Sequence, residues 1–182
     1  MSEIFSHILA LHSAPAICGI KASNLISCST NDISSLMEDI EEVNKKYNPI
    51  VYIKILQIND DRVLILVYRK SILESVLLDS NKQSFLNDCG YPCTNNLDAL
   101  LNHLEYRLNN SSSFPHEIGI FLGYDLSDVL GFINHKECIY SGLWKIYSDK
   151  ENKIKMFDKF NKCAKRVLQY VDKGYTLDSF MK

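Results

Sequence analysis

The sequence predicts an α+β or mixed α/β fold, with a single globular domain over residues 1–182. Two observations point to it: several segments repeat apolar side chains at helical spacing, and two others alternate at strand spacing on either side of a turn. We expect helices to flank a central mixed or antiparallel sheet of about four to five strands that includes a β-hairpin. With 182 residues, 46% of them hydrophobic, the chain is large enough to bury a core.

The helices are predicted from apolar side chains that recur every three or four positions, with polar residues on the opposite face. The leucines of residues 96–108 and the phenylalanines and valines of residues 151–172 make the clearest stripes. The helices predicted in this way span residues 3–11, 32–46, 71–79, 81–89, 96–108 and 151–172, and a further helix starts near Leu126.

The strands are predicted from alternation and from short apolar runs. Residues 50–56 and 63–68 flank the turn-forming Asn59-Asp60-Asp61, which predicts a hairpin. Its second strand is apolar on both faces, as expected of the central strand of a sheet. Further strands are predicted over residues 24–28, 118–122 and 140–147.

The overall composition argues against several classes of protein. No apolar run approaches the roughly 18–20 residues that span a bilayer, so we expect no membrane contact. Because the net charge is −2, we do not expect the chain to bind nucleic acid. The first residues lack the basic region of a secretory signal, so we expect a cytoplasmic protein whose six cysteines are reduced. Cys89 and Cys93 are close enough in sequence to bind a metal, but without a second pair a zinc site would need distant histidine or aspartate ligands.

Positive charge is concentrated near the C-terminus. Residues 145–173 carry nine basic and four acidic side chains, a net charge of +5. The helix over residues 151–172 is therefore a candidate docking site for an acidic protein partner. The favoured alternative is that these lysines form the solvated outer face of a packed helix.

The segment around His116 and Glu117 is the densest in polar residues next to an apolar run. Phosphate-binding glycine loops, dinucleotide glycine patterns and metalloprotease motifs are absent. If residues 118–122 form a strand, the two side chains point to opposite faces, and the buried one needs a partner such as Lys21, Arg69 or a second histidine. An acid/base or ligand-binding role and a purely structural role are equally open.

Pro115-His116-Glu117, followed by Leu122-Gly123-Tyr124, resembles the motif pair of an uncharacterised family found mainly in Clostridia and other Firmicutes. That family is marked by Pro-His-Glu and Leu-Gly-Tyr-Pro, and Asp125 stands here where the family has proline. The likeness extends to His12-Ser13-Ala14-Pro15, Gly19-Ile20-Lys21, Asn24-Leu25, Val67-Tyr68-Arg69, Gly131-Phe132-Ile133, Trp144-Lys145-Ile146-Tyr147 and Lys162-Cys163.

The resemblance supplies no reaction, because the family is a domain of unknown function. It does imply a set of polar positions, which we expect to converge on one pocket. The positions that match the family motifs are His12, Lys21, Asn24, Tyr68, Arg69, His116, Glu117 and Tyr124.

The first functional hypothesis is a cytosolic protein that binds a small molecule or a cofactor in a polar pocket around His116 and Glu117. His12 and His116 are candidate ligands of a metal or haem, and Lys21 and Arg69 are candidates to pair with an anion. The ligand-binding set is the group of motif positions without Glu117, and the cofactor itself is left open.

Two alternatives remain open. In the first alternative, the chain is an enzyme that uses Cys18 with a histidine base, or His116 and Glu117 as an acid/base pair. In the second, it is an interaction module that docks an acidic protein through residues 151–172.

Overall fold

The computed structural model describes residues 1–29, 32–60 and 62–181. They fall into two compact units: unit 1 comprises Met1–Leu73 with Lys162–Lys182, and unit 2 comprises Glu74–Asn161. Helices and two small antiparallel sheets make up both units, which confirms the α+β class. The single domain stays a prediction. None of the described helices has both the length and the apolar composition needed to cross a bilayer.

The helices of the described residues are α1 (Glu3–Ile17), α2 (Ile33–Tyr47), α3 (Lys70–Leu77), α4 (Ser80–Asp88), α5 (Leu97–Asn110), α6 (Ile118–Phe121), α7 (Leu126–Ile133) and α8 (Lys150–Val171). The strands are β1 (Ser23–Ser29), β2 (Val51–Ile58), β3 (Arg62–Arg69), β4 (Tyr140–Ser141) and β5 (Lys145–Ile146). A short 3-10 helix covers Leu177–Ser179.

The sheet of unit 1 has the strand order β1-β3-β2, with both pairs antiparallel. This confirms the hairpin and the central place of β3, whose apolar side chains are needed on both faces because each face is covered. Ile65 pairs with Ile26 on one side and with Ile55 on the other. A bulge follows Ile55 in β2.

The core of unit 1 forms between this sheet and the apolar faces of the helices. Phe5 and Leu9 of α1 and Val43 of α2 are almost completely buried, as are Ile65 and Val67 of β3. The C-terminal part of α8 adds two buried valines to the same cluster. The helical stripes seen in the sequence are therefore the surfaces that this unit buries.

Helix α1 is longer than predicted, because Pro15 lies inside it rather than ending it at residue 11. Proline in its last turn breaks only one backbone hydrogen bond of the helix. The carbonyl of Pro15 accepts hydrogen bonds from the N–H groups of Ile20 and Lys21, at 2.9 and 3.1 Å. The chain then turns through Gly19, whose φ of +69° suits glycine, into β1.

The strand prediction for residues 118–122 is wrong, because Ile118–Phe121 form a helical turn, α6. The N–H of Ile118 donates to the carbonyl of Pro115 at 3.1 Å, which starts the turn. Every side of this turn is buried, so its apolar run carries no helical period. Gly123, at φ +78°, and Tyr124 donate to the carbonyls of Ile120 and Gly119, the hydrogen bonds of a Schellman motif.

Residues 140–147 form a small hairpin, β4 with β5, instead of the predicted single strand. The chain reverses at Gly142, whose N–H donates to the carbonyl of Trp144 at 3.1 Å. A side-chain carbon at Gly142 would lie only 2.4 Å from the ring of Phe157, so the backbone approaches this ring closely. Neither residues 140–147 nor residues 118–122 belong to the main sheet. That sheet therefore has three strands rather than the predicted four to five.

Candidate functional site

Asn24 and Arg69 both bind the last turn of α1 in unit 1. The side-chain oxygen of Asn24 accepts a hydrogen bond from the N–H of Ala16 at 3.3 Å. Arg69 Nη2 donates to the carbonyls of Ile17 and Phe180, at 2.5 and 2.8 Å. A guanidinium is favourable at the negative end of a helix dipole. The contacts of these two predicted ligand residues therefore fasten α1 to the sheet and to the C-terminal segment.

The other predicted positions of unit 1 have different surroundings. His12 is exposed on α1. Tyr68 is buried and stacks on Tyr52 across the sheet, with ring centroids 5.5 Å apart. Burial lowers the pKa of Lys21 to about 8, because a low dielectric disfavours the charged ammonium. Lys21 is thus a cation that is easily neutralised.

Cys18, the candidate nucleophile, follows the last residue of α1. Burial, and then a hydrogen bond with Cys163, raise the pKa of Cys18 to about 12, although the charge of Arg69 opposes this. The thiol is therefore protonated at neutral pH, whereas nucleophilic cysteines need a lowered pKa.

In unit 2, Glu117 is 3% exposed and lies in a buried cluster. Arg107 Nε donates to Glu117 Oε1 at 2.9 Å, and the hydroxyl of Tyr91 donates to the same oxygen at 3.3 Å. Arg107 also donates to the carbonyl of Cys89 at 3.2 Å. Burial and the charge of Glu117 raise the pKa of Tyr91. We call Tyr91, Arg107 and Glu117 the Glu117 cluster.

The requirement for a partner of a buried Glu117 is confirmed, but the partner is Arg107 rather than Lys21, Arg69 or a histidine. His116 is exposed and lies between two aromatic rings, 5.9 Å from Phe114 and 4.9 Å from Phe132. Neighbours in a helical turn need not face each other, so the two motif residues have separate environments.

Tyr124 and Trp144 lie beside a second buried ionic group in unit 2. Their rings stack 4.1 Å apart, and burial raises the pKa of Tyr124 to about 12. Trp144 Nε1 donates to Asp128 at 2.9 Å, and Lys153 Nζ donates to the same oxygen at 2.7 Å. Lys153 also pairs with Asp125 at 3.0 Å. Asp125 thus forms an ion pair with the lysine that also binds Asp128.

The predicted site residues are divided between the units. His12, Lys21, Asn24, Tyr68 and Arg69 belong to unit 1, whereas His116, Glu117 and Tyr124 belong to unit 2. Within unit 1, Asn24 and Arg69 meet at the end of α1. A common pocket for the whole set stays a prediction. Among the described residues, no group of three or more metal-binding side chains has the geometry to hold a metal ion.

A cavity of about 310 Å³ lies between α4, α5 and the loop that joins them, and we call it the α4–α5 cavity. That volume falls at the lower end of the range typical of small-molecule sites. It is lined by three leucines, three amide side chains, a proline, a cysteine and a threonine, none of which carries a charge. These residues are Leu77, Gln83, Leu86, Asn87, Pro92, Cys93, Thr94, Asn95 and Leu100.

Hydrogen bonds hold the polar lining of this cavity in place. Gln83 Nε2 donates to Asn95 Oδ1 at 2.7 Å, and Asn87 Nδ2 donates to Cys93 Sγ at 3.8 Å. Gln83 and Asn87 lie four residues apart, on one face of α4. Each amide carries two N–H groups and a carbonyl oxygen, so the lining has further hydrogen-bonding capacity.

The Glu117 cluster holds the loop that lines this cavity. Within the loop of residues 89–96, the hydroxyl of Tyr91 donates to Glu117, and the carbonyl of Cys89 accepts from Arg107. The N–H of Tyr91 donates to the carbonyl of Leu86 at 3.0 Å. Next to them, Gly90 has a φ of +90°, which ends α4. The buried ion pair and the cavity wall therefore share one short loop.

Two cavities in unit 1 are less suited to a ligand. One of about 450 Å³ contains charged side chains that already pair with each other, such as Lys46 with Asp178 at 3.0 Å. The other, of about 350 Å³, is mainly apolar. One of its carboxylates, Asp32, is used to cap α2 through the N–H of Ser35.

The partners of the buried motif residues were not predicted from the sequence, although the motif residues themselves were. Arg107 falls on the leucine stripe of α5, three residues after Leu104, and Lys153 falls on the stripe of α8, four residues before Phe157. A charged residue inside an apolar stripe indicates a buried ion pair. This signal was available at both positions. The burial of Lys153 also removes it from the basic face expected to meet an acidic partner.

Comparison with known proteins identifies a family without a known activity. The family model described as "Protein of unknown function (DUF3793)" matches residues 9–181. No curated protein and no solved structure gives a significant match to the chain.

Proposed function

We propose that this chain, which belongs to the DUF3793 family of proteins of unknown function, binds an uncharged small molecule in the α4–α5 cavity. The observation that carries the proposal is the lining: three hydrogen-bonded amide side chains beside leucines, with no charged group. Ligand sites of proteins combine apolar surface with a few fixed polar groups in this way.

The absence of charge among the lining residues supports the choice of ligand class. Transfer of a carboxylate or ammonium group into such a cavity loses its hydration without gaining an ion pair. Carbonyl, hydroxyl and amide groups are matched by Gln83, Asn87 and Asn95. Planar amides and nucleobase-like rings are therefore the class of ligand that we expect.

In this proposal Glu117 is a positioning residue. It acts through Arg107 and Tyr91 on the loop of residues 89–96, and it does not touch the ligand. A loop fixed before binding lowers the entropy cost of association. The proposed pocket is therefore the α4–α5 cavity, whose lining does not include His116 or Glu117.

The enzyme hypothesis has less support. Cys18 holds its proton at neutral pH, and Glu117 is occupied by Arg107. Catalytic roles for Cys18, His116 and Glu117 stay predictions, as does an acidic protein partner for α8. We retain the cytoplasm as the proposed location, and the expected Firmicutes origin is likewise a prediction.

The test compares two probes that differ in charge, benzamide and benzoate. We expect benzamide to shift the NMR signals of the side-chain amides of Gln83, Asn87 and Asn95 with a saturable, millimolar dissociation constant, typical of a fragment-sized ligand. Benzoate should bind at least about tenfold more weakly, since its charge finds no partner.

Two variants complete the test. Cys93→Trp places an indole in the cavity from an exposed position, so it should abolish the benzamide shifts. Ser112→Trp, at an exposed position outside the lining, should leave them unchanged. Equal binding of the two probes, or benzamide shifts that survive in the Cys93→Trp variant, would contradict the proposal.

A further inference from the structure

Two of the amide side chains in the α4–α5 cavity are joined to each other. Gln83 comes from α4 and Asn95 from the loop that leads into α5, and both line the cavity. Gln83 Nε2 donates to Asn95 Oδ1 at 2.7 Å. Within each amide group the nitrogen and the oxygen are bonded to the same carbon, so the atoms outside this hydrogen bond lie close to it. We call these two residues the amide pair.

The hydrogen bond leaves the amide pair with both kinds of hydrogen-bonding group. In the structure, the carbonyl of Gln83 and the two N–H groups of Asn95 lie outside this bond. If both amide groups turned over together, Asn95 would donate to Gln83, and the carbonyl of Asn95 would lie outside the bond with the N–H groups of Gln83. In either arrangement the amide pair offers a ligand a carbonyl acceptor beside N–H donors.

The chemical complement of the amide pair is a group that carries an N–H and a carbonyl side by side. A lactam, the amide of a ring, has both on one edge, so it can donate to the carbonyl of the pair and accept from an N–H of the pair. Leu86 and Leu100 supply apolar surface for the planar ring. At about 310 Å³ the cavity is large enough for a single ring of this kind.

We infer that the α4–α5 cavity selects uncharged rings with a lactam edge, and that the amide pair of Gln83 and Asn95 recognises this edge. This inference rests on the proposed function and narrows its ligand class from uncharged molecules to lactams. An analogue without the N–H leaves a carbonyl of the amide pair without its partner, and sites that hydrogen-bond an N–H discriminate against such analogues.

Three uncharged pyridones test the ligand class in the full chain. In 2-pyridone the N–H and the carbonyl are adjacent, in N-methyl-2-pyridone the N–H is replaced, and in 4-pyridone the two groups lie at opposite ends of the ring. NMR titration of the side-chain amide of Asn87, which also lines the cavity, gives the dissociation constants. We expect 2-pyridone to bind at least about fivefold more tightly than either of the others, as the loss of one hydrogen bond predicts.

Two double variants test the role of the amide pair. Gln83→Met with Asn95→Met removes both amide groups, so 2-pyridone and N-methyl-2-pyridone should then bind within about twofold of each other. The matched control is Asn161→Met with Gln169→Met, which makes the same changes at exposed positions of α8 outside the lining. It should keep the preference for 2-pyridone.

The outcomes separate this inference from the proposed function. If N-methyl-2-pyridone or 4-pyridone binds as tightly as 2-pyridone, the lactam preference is overturned while an uncharged ligand still occupies the cavity. If none of the three pyridones binds, the proposed function is contradicted as well. A preference for 2-pyridone that survives in the Gln83→Met, Asn95→Met variant would overturn the assignment to the amide pair.

Discussion

Glu117 exposes 3% of its surface, yet it is bound by both Arg107 and Tyr91. A carboxylate in such a place loses its hydration, so the cluster is stable only while both partners remain. Arg107 extends the effect by holding the carbonyl of Cys89. One buried residue therefore determines the path of the loop that lines the α4–α5 cavity.

Glu117→Gln tests this role. The amide keeps the shape of the side chain but removes the charge opposite Arg107, so the free energy of unfolding should fall by about 2 kcal/mol. Hydrogen exchange at the N–H of Tyr91 should also become faster, because the loop opens more often. Urea denaturation and exchange monitored by NMR measure the two effects.

The matched control is Glu137→Gln, which makes the same change at an exposed position of unit 2. It should alter the free energy of unfolding by no more than about 0.5 kcal/mol. If Glu117→Gln were equally mild and left the exchange of Tyr91 unchanged, the loop would not depend on the cluster.

Lys21 makes stability depend on pH in a defined direction. Burial lowers its pKa from 10.5 to about 8. Between these values the unfolded chain binds a proton that the folded protein has lost, so the free energy of unfolding rises with pH. The rise amounts to at most about 3 kcal/mol, and it is complete above pH 10.5.

The measurement is the free energy of unfolding of the protein and of Lys21→Met at several pH values. Cysteines titrate in the same range: for Cys18 the pKa is raised to about 12, so its titration lowers stability as pH rises. That contribution is common to both proteins, and the difference between them isolates Lys21. A difference that stays constant from pH 7 to 11 would refute a buried, readily neutralised lysine.

A buried ion pair joins the first turn of helix α8 to helix α7. Lys153 is 2% exposed and binds Asp128 at 2.7 Å. Burial opposes its charge, but the hydrogen bonds of Asp128 and Asp125 outweigh this and raise the pKa of Lys153. The N–H of Tyr147 donates to the other oxygen of Asp128 at 2.8 Å, which fixes the chain that leads into α8.

Lys153→Met tests this anchor. It leaves the carboxylate of Asp128 buried without a cation, and loss of one partner of a buried pair costs about 3–5 kcal/mol. Lys155→Met, at an exposed position two residues along the same helix, is the matched control and should cost less than about 0.5 kcal/mol. Chemical denaturation compares them, and equal stability of the two variants would exclude an anchoring role.

The elements with a regular period were predictable, and those without one were not. The leucines of α5 and the two-faced pattern of β3 each identified an element and its place, because one face or both had to be buried. Residues 118–122 are buried on all sides, so a single helical turn and a strand have the same apolar pattern. The hydrogen bonds from Gly123 and Tyr124 back to Ile120 and Gly119, which form a Schellman motif, identify the segment as a helical turn.

The candidate site was likewise only partly predictable from the sequence. The need of Glu117 for a partner follows from the cost of burying a charge. The identity of Arg107 depends on how α5 packs against the turn of residues 115–118, which sequence spacing does not encode. The amide lining was partly visible, since Gln83 and Asn87 are four residues apart on one helix.

For the whole molecule, the two units carry different chemistry. Unit 1 holds the three-stranded sheet, and unit 2 holds the Glu117–Arg107 and Asp128–Lys153 ion pairs and the α4–α5 cavity. The motif residues that the family resemblance singled out are divided between them. Those whose contacts are described here mainly fix elements, as Arg69 fixes α1 and Glu117 fixes the loop of residues 89–96.

In the proposed function, an uncharged ligand occupies the α4–α5 cavity. Crystals of the protein soaked in 4-bromobenzamide would reveal where such a ligand binds, because anomalous scattering locates the bromine without bias. We predict one dominant bromine peak between Leu86 and Leu100, with the probe's amide hydrogen-bonded to Asn87 or Asn95. A dominant peak in another cavity, or no peak in the α4–α5 cavity, would show that this cavity does not bind the uncharged probe.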